Sequence, residues 1–255
     1  MRHSNIAIFV PHIGCPHRCS FCDQHTISGM QHAPSAQEVR DTCKTALSEI
    51  RSPQESEIAF FGGSFTAIPR GYMISLLEAA SEFVGEGGFR GIRLSTRPDC
   101  ITQEILGILR DYGVTAIELG AQSMVDEVLE ANERGHTAKD VEDAAGLIKS
   151  CGFELGLQMM TGLYKSSPER DRFSAERIID LRPDTVRIYP VVVLKGTRLA
   201  EIFESEAESF IPFDAMVESC AALMEAFHSA GIRVIKCGLH ASEFVEQDIV
   251  ATLLG

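Results

Sequence analysis

The run NIAIFVPHIGCPHRCSFCDQ (5–24) joins an apolar, strand-like stretch directly to three closely spaced cysteines. Cys15, Cys19 and Cys22 follow a C-x3-C-x2-C pattern within the loop 11–25. Three thiolates can hold three irons of a cubane iron–sulfur cluster, whereas a complete protein cage needs four cysteines. The pattern therefore predicts a [4Fe-4S] cluster in which one iron stays open to another ligand.

Three close cysteines also suit other chemistry. A nearby histidine (His12, His17 or His25) could complete a zinc site as the fourth ligand, and neighbouring thiols could serve in redox reactions. The spacing after a strand favours the cluster over zinc. Disulfides are least favoured, because no secretory signal precedes the cysteines and the other five are scattered. A zinc- or cluster-binding interaction module without catalysis is therefore an alternative function.

Composition indicates a single α/β domain over 1–255, since the chain is long enough to bury a sizeable core and 45% of its residues are hydrophobic. The net charge of −13 argues against a broad phosphate-binding surface. A local basic patch of Arg18, Arg97 and Lys195 would still permit a nucleic-acid partner. The sequence shows neither a targeting peptide nor a membrane span, so a cytoplasmic protein is expected.

Six short apolar runs alternate with amphipathic helical patterns. Several runs are apolar almost throughout, which is typical of strands buried on both faces of a parallel sheet. The order predicts an incomplete (β/α)6 TIM-type barrel, with a doubly wound open sheet as the alternative. A further run, 232–239, is expected to close or extend the sheet. The six runs are 5–10, 57–62, 91–96, 116–121, 153–160 and 185–192.

Helix boundaries also leave a signature in the sequence. Ser35 and Glu38 form a capping box at a helix start, and Gly152 is placed to take the left-handed conformation that ends another helix. A long helix is predicted from about residue 214 to about residue 228, before Gly231. Of the remaining cysteines, Cys43 and Cys220 lie on apolar helical stripes, so they are expected to be buried and structural.

Polar and glycine-rich motifs follow the predicted strands, at the ends where a barrel of this class carries its active site. In FFGGSFT (60–66), glycines let the backbone approach a ligand, and Ser64 or Thr66 could add a hydroxyl. In LSTRPD (94–99), Thr96 and Arg97 are expected at the barrel mouth. Arg97 either binds a carboxylate or phosphate or pairs with Asp99 across the turn.

A longer motif, ELGAQSMVDEVLEANERGHT (118–137), ends the fourth predicted strand. Gln122 at a strand end needs hydrogen-bond partners, which a ligand would supply. The fork of Arg134 suits a carboxylate. His136 either caps the next helix or lies in the pocket.

Together, VPHIGCPHRCSFC, STRPD, ELGAQS, ERGHT and RIYPVVVLKGT (187–197) resemble the radical S-adenosylmethionine superfamily, and most of all its Elongator-type radical domain. The resemblance spans nearly the whole chain. It implies that Cys15, Cys19 and Cys22 ligate a [4Fe-4S] cluster and that S-adenosylmethionine is the second cofactor. Phe21, just before the last cysteine, fits the same class.

The resemblance also implies contacts to S-adenosylmethionine. Gly62 and Gly63 match the family's GGE-type motif, which holds the amino group of the methionine part. Ser64 replaces the acidic residue of that motif, so backbone carbonyls are expected to carry most of the contact. Thr96 is expected in the same pocket.

The later motifs supply the remaining contacts that the resemblance implies. Gln122 would contact the ribose and Arg134 the methionine carboxylate. Gly162 matches a glycine-leucine turn that approaches the adenine, and Tyr189 matches the segment beside the adenine pocket.

The implied activity is reductive cleavage of S-adenosylmethionine to a 5′-deoxyadenosyl radical, which takes a hydrogen atom from an unknown substrate. An electron donor such as flavodoxin or ferredoxin is expected. A radical enzyme acting on tRNA or another RNA base is an alternative, although the acetyltransferase domain of Elongator-type proteins is absent from these residues. Such proteins usually continue past the last strand, so the end at Gly255 is expected to reflect truncation or a short variant.

Overall fold

One curled sheet of seven parallel strands organises the protein, for which a computed structural model describes residues 4–11, 13–15, 18–29, 32–238 and 249–251. Two further short strands pair antiparallel with each other. The strands of the described residues are β1 (Ser4–Val10), β2 (Ser56–Gly62), β3 (Gly91–Thr96), β4 (Val114–Gln122), β5 (Glu154–Thr161), β6 (Thr185–Pro190), β7 (Val193–Leu194), β8 (Arg233–Cys237) and β9 (Ile249–Ala251).

Helices connect successive strands of the sheet. Ser35 and Glu38 form the expected capping box, and Gly152 has the expected left-handed backbone, with φ of +82°. Within the described ranges no helix combines the length and apolar character needed to cross a bilayer. The helices are α1 (Gln24–Ser28), α2 (Ala36–Glu49), α3 (Arg70–Ser81), α4 (Gln103–Asp111), α5 (Asp126–Ala131), α6 (Ala138–Ser150), α7 (Pro168–Asp180), α8 (Arg198–Glu206) and α9 (Phe213–Ser229).

The strand order confirms the predicted incomplete barrel. The large sheet runs β1-β2-β3-β4-β5-β6-β8, and every pair in it is parallel. A doubly wound sheet would reverse its order at a switch point, so that alternative is wrong. The run at 232–239 extends the sheet as β8, since Thr185 of β6 pairs with Arg233. β1 and β8 each have one neighbour among the described strands, which leaves the barrel open.

The outer face of the sheet carries the hydrophobic core. Alternate strand residues such as Ile58, Leu94 and Leu157 are buried and share one apolar cluster with helix residues such as Leu76 and Ile148. Burying this face against helices supplies most of the driving force for folding. Cys43 and Cys220 are both buried in the hydrophobic core, as predicted, whereas Cys237 is exposed.

The inner face carries a charged residue on each of four strands. Glu57, Arg93, Glu118 and Arg187 come from β2, β3, β4 and β6. Arg93 Nε donates to Glu57 Oε2 at 2.8 Å, and Arg93 Nη1 donates to Glu118 Oε1 at 3.3 Å. Arg187 Nε donates to the other oxygen of Glu118 at 2.7 Å. Because these charges meet across strands, this face lines the concave interior of the half-barrel, which we call the lumen.

Candidate functional site

The cysteine loop leaves the sheet beside the glycine-rich loop after β2, because Val10 pairs with Gly62 in register. Gly62 has a φ of +108°, and a Cβ there would lie 2.9 Å from the Val10 carbonyl oxygen. Gly63 N donates to the same oxygen at 2.9 Å. A Cβ at Gly14 would lie 2.2 Å from the carbonyl oxygen of Ser64. Only glycine therefore allows the two loops to approach this closely.

The three cysteines are half-buried in this loop. Cys22 N donates to the Cys19 carbonyl oxygen at 3.1 Å, which forms a turn. Burial raises the pKa of the Cys15 thiol, while a hydrogen bond from the Ser64 backbone and the charges of Arg97 and Arg134 partly oppose that rise. Over the described part of the chain, no three Cys, His, Asp or Glu side chains already converge as a metal site.

Three histidines were considered as the fourth ligand of a zinc site, and the structure describes none of their side chains. His12 and His17 lie outside the described residues, as does the side chain of His25. Their participation stays a prediction.

Ser20 and Phe21 anchor the loop to the rest of the molecule. Ser20 N and Oγ donate to the backbone and side-chain oxygens of Asn132, each at 3.1 Å, and Leu199 N donates to the Ser20 carbonyl oxygen at 2.7 Å. Phe21 is buried in the hydrophobic core. The loop is thereby tied to both α5 and α8, which surround the end of the sheet.

Three hydroxyls join the ends of β2 and β3. Thr96 Oγ1 lies 2.9 Å from Ser64 Oγ and 2.6 Å from Thr66 Oγ1. Ser64 Oγ also accepts from the backbone N of Arg97 at 3.2 Å. The hydroxyls of Ser64 and Thr96 are therefore buried and engaged in hydrogen bonds within the protein.

Arg97 pairs with Asp99, which was one of its two predicted roles. Its Nε and Nη2 donate to the two carboxylate oxygens at 2.9 and 3.0 Å. The side chain is buried, yet Nη1 has no hydrogen-bond partner. The pair thus holds the guanidinium in a fixed orientation and leaves one donor unused.

Gln122 and Arg134 meet at the end of β4. A bulge and a φ of +66° at Gln122 change the direction of its side chain. Arg134 Nη2 donates to the Gly120 carbonyl oxygen at 2.6 Å, and Arg134 Nη1 donates to Cys19 Sγ at 3.0 Å. A Cβ at Gly120 would lie 3.3 Å from Gln122 Nε2 and 3.4 Å from Arg134 Nη2. The structure therefore brings these two predicted residues together with a cluster cysteine.

Four buried polar atoms around this point have no hydrogen-bond partner among the residues that the structure describes. They comprise two donors, Arg97 Nη1 and Arg134 Nε, and two acceptors, Gln122 Oε1 and His136 Nδ1. His136 belongs to the group because its Nε2 lies 3.2 Å from the Ala121 carbonyl oxygen. Buried polar atoms are nearly always satisfied in a folded protein. We call this group the unsatisfied cradle.

The cradle fits the amino-acid part of S-adenosylmethionine. A carboxylate needs donors and an amino group needs acceptors, and the cradle offers both beside Cys19. Gly62, Gly63 and Gly120 keep the surrounding backbone free of side chains. The residues present are therefore suited to hold the cofactor that the motifs imply.

Gly162 and Tyr189 lie farther along the sheet edge. Gly162 has a φ of +75°, its N donates to Asp171 Oδ2 at 2.9 Å, and a Cβ there would overlap Met216. Tyr189 follows Arg187 on the lumen face, and burial raises the pKa of its phenol. Their predicted contacts to adenine stay predictions.

Among the described residues, Arg97 does not join Arg18 and Lys195 in an exposed basic patch. Arg97 is buried against Asp99. Arg18 lines a cavity of about 830 Å³ next to the cluster loop, together with the carboxylates of Asp126, Glu130, Glu133 and Asp140. Lys195 has a partner within the protein. The surface beside the cluster loop is therefore acidic, because α5 and the start of α6 contribute carboxylates there.

Several residues of the site were not singled out from the sequence. Gly14 and Asn132 hold the cluster loop, and Glu118 with Arg187 forms part of the lumen. A usable signal exists for the lumen, because a single charge in the middle of an apolar strand needs a partner. Four such strands with charges of both signs would have indicated a shared network.

Comparison with known families and proteins gives a consistent result. Residues 9–174 match the model of the Radical SAM superfamily, and residues 183–251 match the Radical_SAM C-terminal domain. Elongator complex protein 3 of Homo sapiens is 31% identical over 194 residues, which make up 68% of this chain and 35% of that protein. The tRNA uridine(34) acetyltransferase of Dehalococcoides mccartyi is 24% identical over 77% of this chain and 50% of its own length.

A solved structure shares the fold. The archaeal Elp3 of Methanocaldococcus infernus superposes with a TM-score of 0.70 at 20% identity, covering 96% of this chain and 61% of that one. This chain therefore spans about a third to a half of the length of the curated relatives named here.

Proposed function

Because this chain belongs to the Radical SAM superfamily, we propose that it generates a 5′-deoxyadenosyl radical at the mouth of the half-barrel and uses it to take a hydrogen atom from a substrate in the lumen. The protein is an enzyme whose cofactors are a [4Fe-4S] cluster and S-adenosylmethionine. When both are bound, an electron from the cluster breaks a carbon–sulfur bond of S-adenosylmethionine.

The unsatisfied cradle beside Cys19 is the observation that carries this proposal. Cys15, Cys19 and Cys22 would ligate the cluster. Arg134 donates to Cys19 Sγ and has a further unused donor, so it would bind a carboxylate next to the cluster. Gln122 would accept from the ribose. Gly62, Gly63, Ser64, Thr96, Phe21, Gly162 and Tyr189 complete the proposed binding residues.

The lumen would keep the reaction away from water and competing charges. Glu118 accepts from Arg187 at 2.7 Å and from Gln158 Nε2 at 2.9 Å, so its charge is neutralised within the protein. The guanidinium of Arg187 also lies 5.1 Å from the ring centroid of Phe61. A charge-balanced interior suits chemistry at a neutral C–H bond, because a radical attacks whichever hydrogen donor it meets.

A substrate connected with tRNA modification is a second candidate, supported by the names of the relatives. Carboxylates line the cavity beside Arg18, so an RNA contact on another surface is the version that we propose. Binding of tRNA that weakens steeply with added salt would support this candidate. A flavodoxin or ferredoxin is the proposed electron donor.

The test is made without oxygen. The protein is reconstituted with iron and sulfide, reduced, given S-adenosylmethionine and assayed for 5′-deoxyadenosine. We expect the product to form in the wild type and in Cys151→Ala, a control at the end of α6, and to be lost together with iron in Cys19→Ala. Full iron content and turnover in Cys19→Ala would overturn the assignment, and zinc in place of iron would favour the binding module.

A further inference from the structure

His136 has one ring nitrogen whose role is determined by its neighbour. The side chain is only 6% exposed, and Nε2 lies 3.2 Å from the carbonyl oxygen of Ala121. A carbonyl oxygen can only accept, so Nε2 carries the proton in this contact. Burial, followed by the charges of Arg134 and Arg97, lowers the pKa of His136 to about 4. The ring is therefore neutral at physiological pH, and Nδ1 is an acceptor.

No group within the described residues satisfies this acceptor. Nδ1 is buried without a hydrogen-bond partner, and so are Arg134 Nε and Arg97 Nη1. The two guanidinium groups lie close enough to lower the pKa of His136, yet both keep their bonds to other partners, Arg134 to Cys19 and Gly120 and Arg97 to Asp99. An acceptor placed among cations suits a ligand that brings its own N–H or O–H donor.

The amino group of S-adenosylmethionine needs such an acceptor in this chain. By its resemblance to the GGE-type motif, this chain has Ser64 in place of the acidic residue that would accept from that group. Its hydroxyl is already engaged by Thr96 Oγ1 and by the backbone N of Arg97. The acceptor at the amino-acid end must therefore come from backbone carbonyls or from another side chain.

We propose that His136 is a cofactor-binding residue whose Nδ1 accepts a hydrogen bond from the α-amino group of S-adenosylmethionine. The inference rests on the proposed function of the same site. Gly135, with a φ of +68°, turns the chain between Arg134 and His136 so that both side chains serve one ligand. The carboxylate would take the donors of the cradle. The amino group would take the acceptor at His136 Nδ1, because Gln122 Oε1 is the proposed acceptor for the ribose.

Two substitutions separate the two ring nitrogens. His136→Gln places an amide N–H near the position of Nε2, so it preserves a donor for the Ala121 oxygen and removes the acceptor at Nδ1. His136→Asn places an amide oxygen near the position of Nδ1, so it preserves the acceptor and removes the donor to Ala121. The exposed His228 on α9 provides the control variant His228→Gln.

The measurement is calorimetric binding to the cluster-loaded protein without oxygen. The probes are S-adenosylhomocysteine, which keeps the amino-acid end, and 5′-methylthioadenosine, which lacks it. We expect His136→Gln to weaken S-adenosylhomocysteine by about tenfold and to leave 5′-methylthioadenosine unchanged. We expect His136→Asn to bind both probes within about twofold of the wild type, although it unfolds at lower denaturant concentration.

Other outcomes would overturn the inference. Wild-type affinity for S-adenosylhomocysteine in His136→Gln would show that the histidine is structural, and an equal loss of both probes would move its contact to the nucleoside. A wild-type protein that binds neither probe would instead remove the proposed function, so the two failures are distinguishable.

Discussion

The lumen and the mouth of the half-barrel both bury charged residues, but only the lumen satisfies them internally. In the lumen, Arg93 donates to Glu57, Glu118 and Glu154, and Glu118 also accepts from Arg187. At the mouth, Arg134 and His136 each keep a buried polar atom without a partner. The difference separates a network that the fold completes from one that a ligand completes.

The comparison indicates where substitutions should affect folding and where they should affect binding. A buried ion pair that loses one partner leaves an uncompensated charge, which costs stability. A cradle atom has no protein partner to lose, so its replacement should weaken the bound cofactor more than the fold.

The largest expected effect is on folding. Arg93→Met removes the buried cation that bridges Glu57 and Glu118, so we expect the free energy of unfolding to fall by about 3–5 kcal/mol. Urea unfolding monitored by circular dichroism measures this change. Arg70→Met, which removes an exposed ion pair with Glu104, is the control and should leave the midpoint unchanged. A small change in Arg93→Met would contradict a structural role for the lumen network.

A second prediction exchanges arginine for lysine in each region. Lysine keeps the charge but loses the fork. We expect Arg134→Lys to weaken S-adenosylmethionine binding by about tenfold to a hundredfold with a smaller effect on unfolding. We expect Arg187→Lys, which loses its two-point contact with Glu118, to lower stability more than affinity. Calorimetry measures the affinity of both variants, and urea unfolding measures their stability. Equal losses of affinity and of stability in the two variants would contradict the distinction between the mouth and the lumen.

The smallest expected effect is a pH dependence. The pKa of His136 is about 4 in the folded protein, whereas an unperturbed histidine has a pKa of 6.5. The unfolded chain therefore binds a proton first as the pH falls, so the stability from this residue is complete above about pH 6.5 and is lost toward about pH 4. Relative to His136→Gln, the wild type should lose about 1 kcal/mol between about pH 7 and about pH 5.5. Parallel urea curves for the two proteins would contradict this burial.

Local patterns in the sequence were enough to predict the fold class and most of the strands. The observed bounds of β3 equal the predicted run 91–96, and the other five runs lie within about two residues of their strands. These runs could be recognised because a continuous apolar stretch that ends near glycine or proline is a local sign of a buried strand. The cluster cysteines and the order of the motifs along the chain were equally local, since spacing is written in the sequence.

Which polar groups are satisfied could be read from the folded protein alone. The sequence left Arg97 between a ligand and Asp99, and the fold gives it the Asp99 contact together with one unused donor. It left His136 between a helix cap and the pocket, and the contact with Ala121 assigns its tautomer. It allowed a basic patch that burial of Arg97 removes. Hydrogen-bond satisfaction depends on residues far apart in the chain that converge in space, so no local pattern could report it.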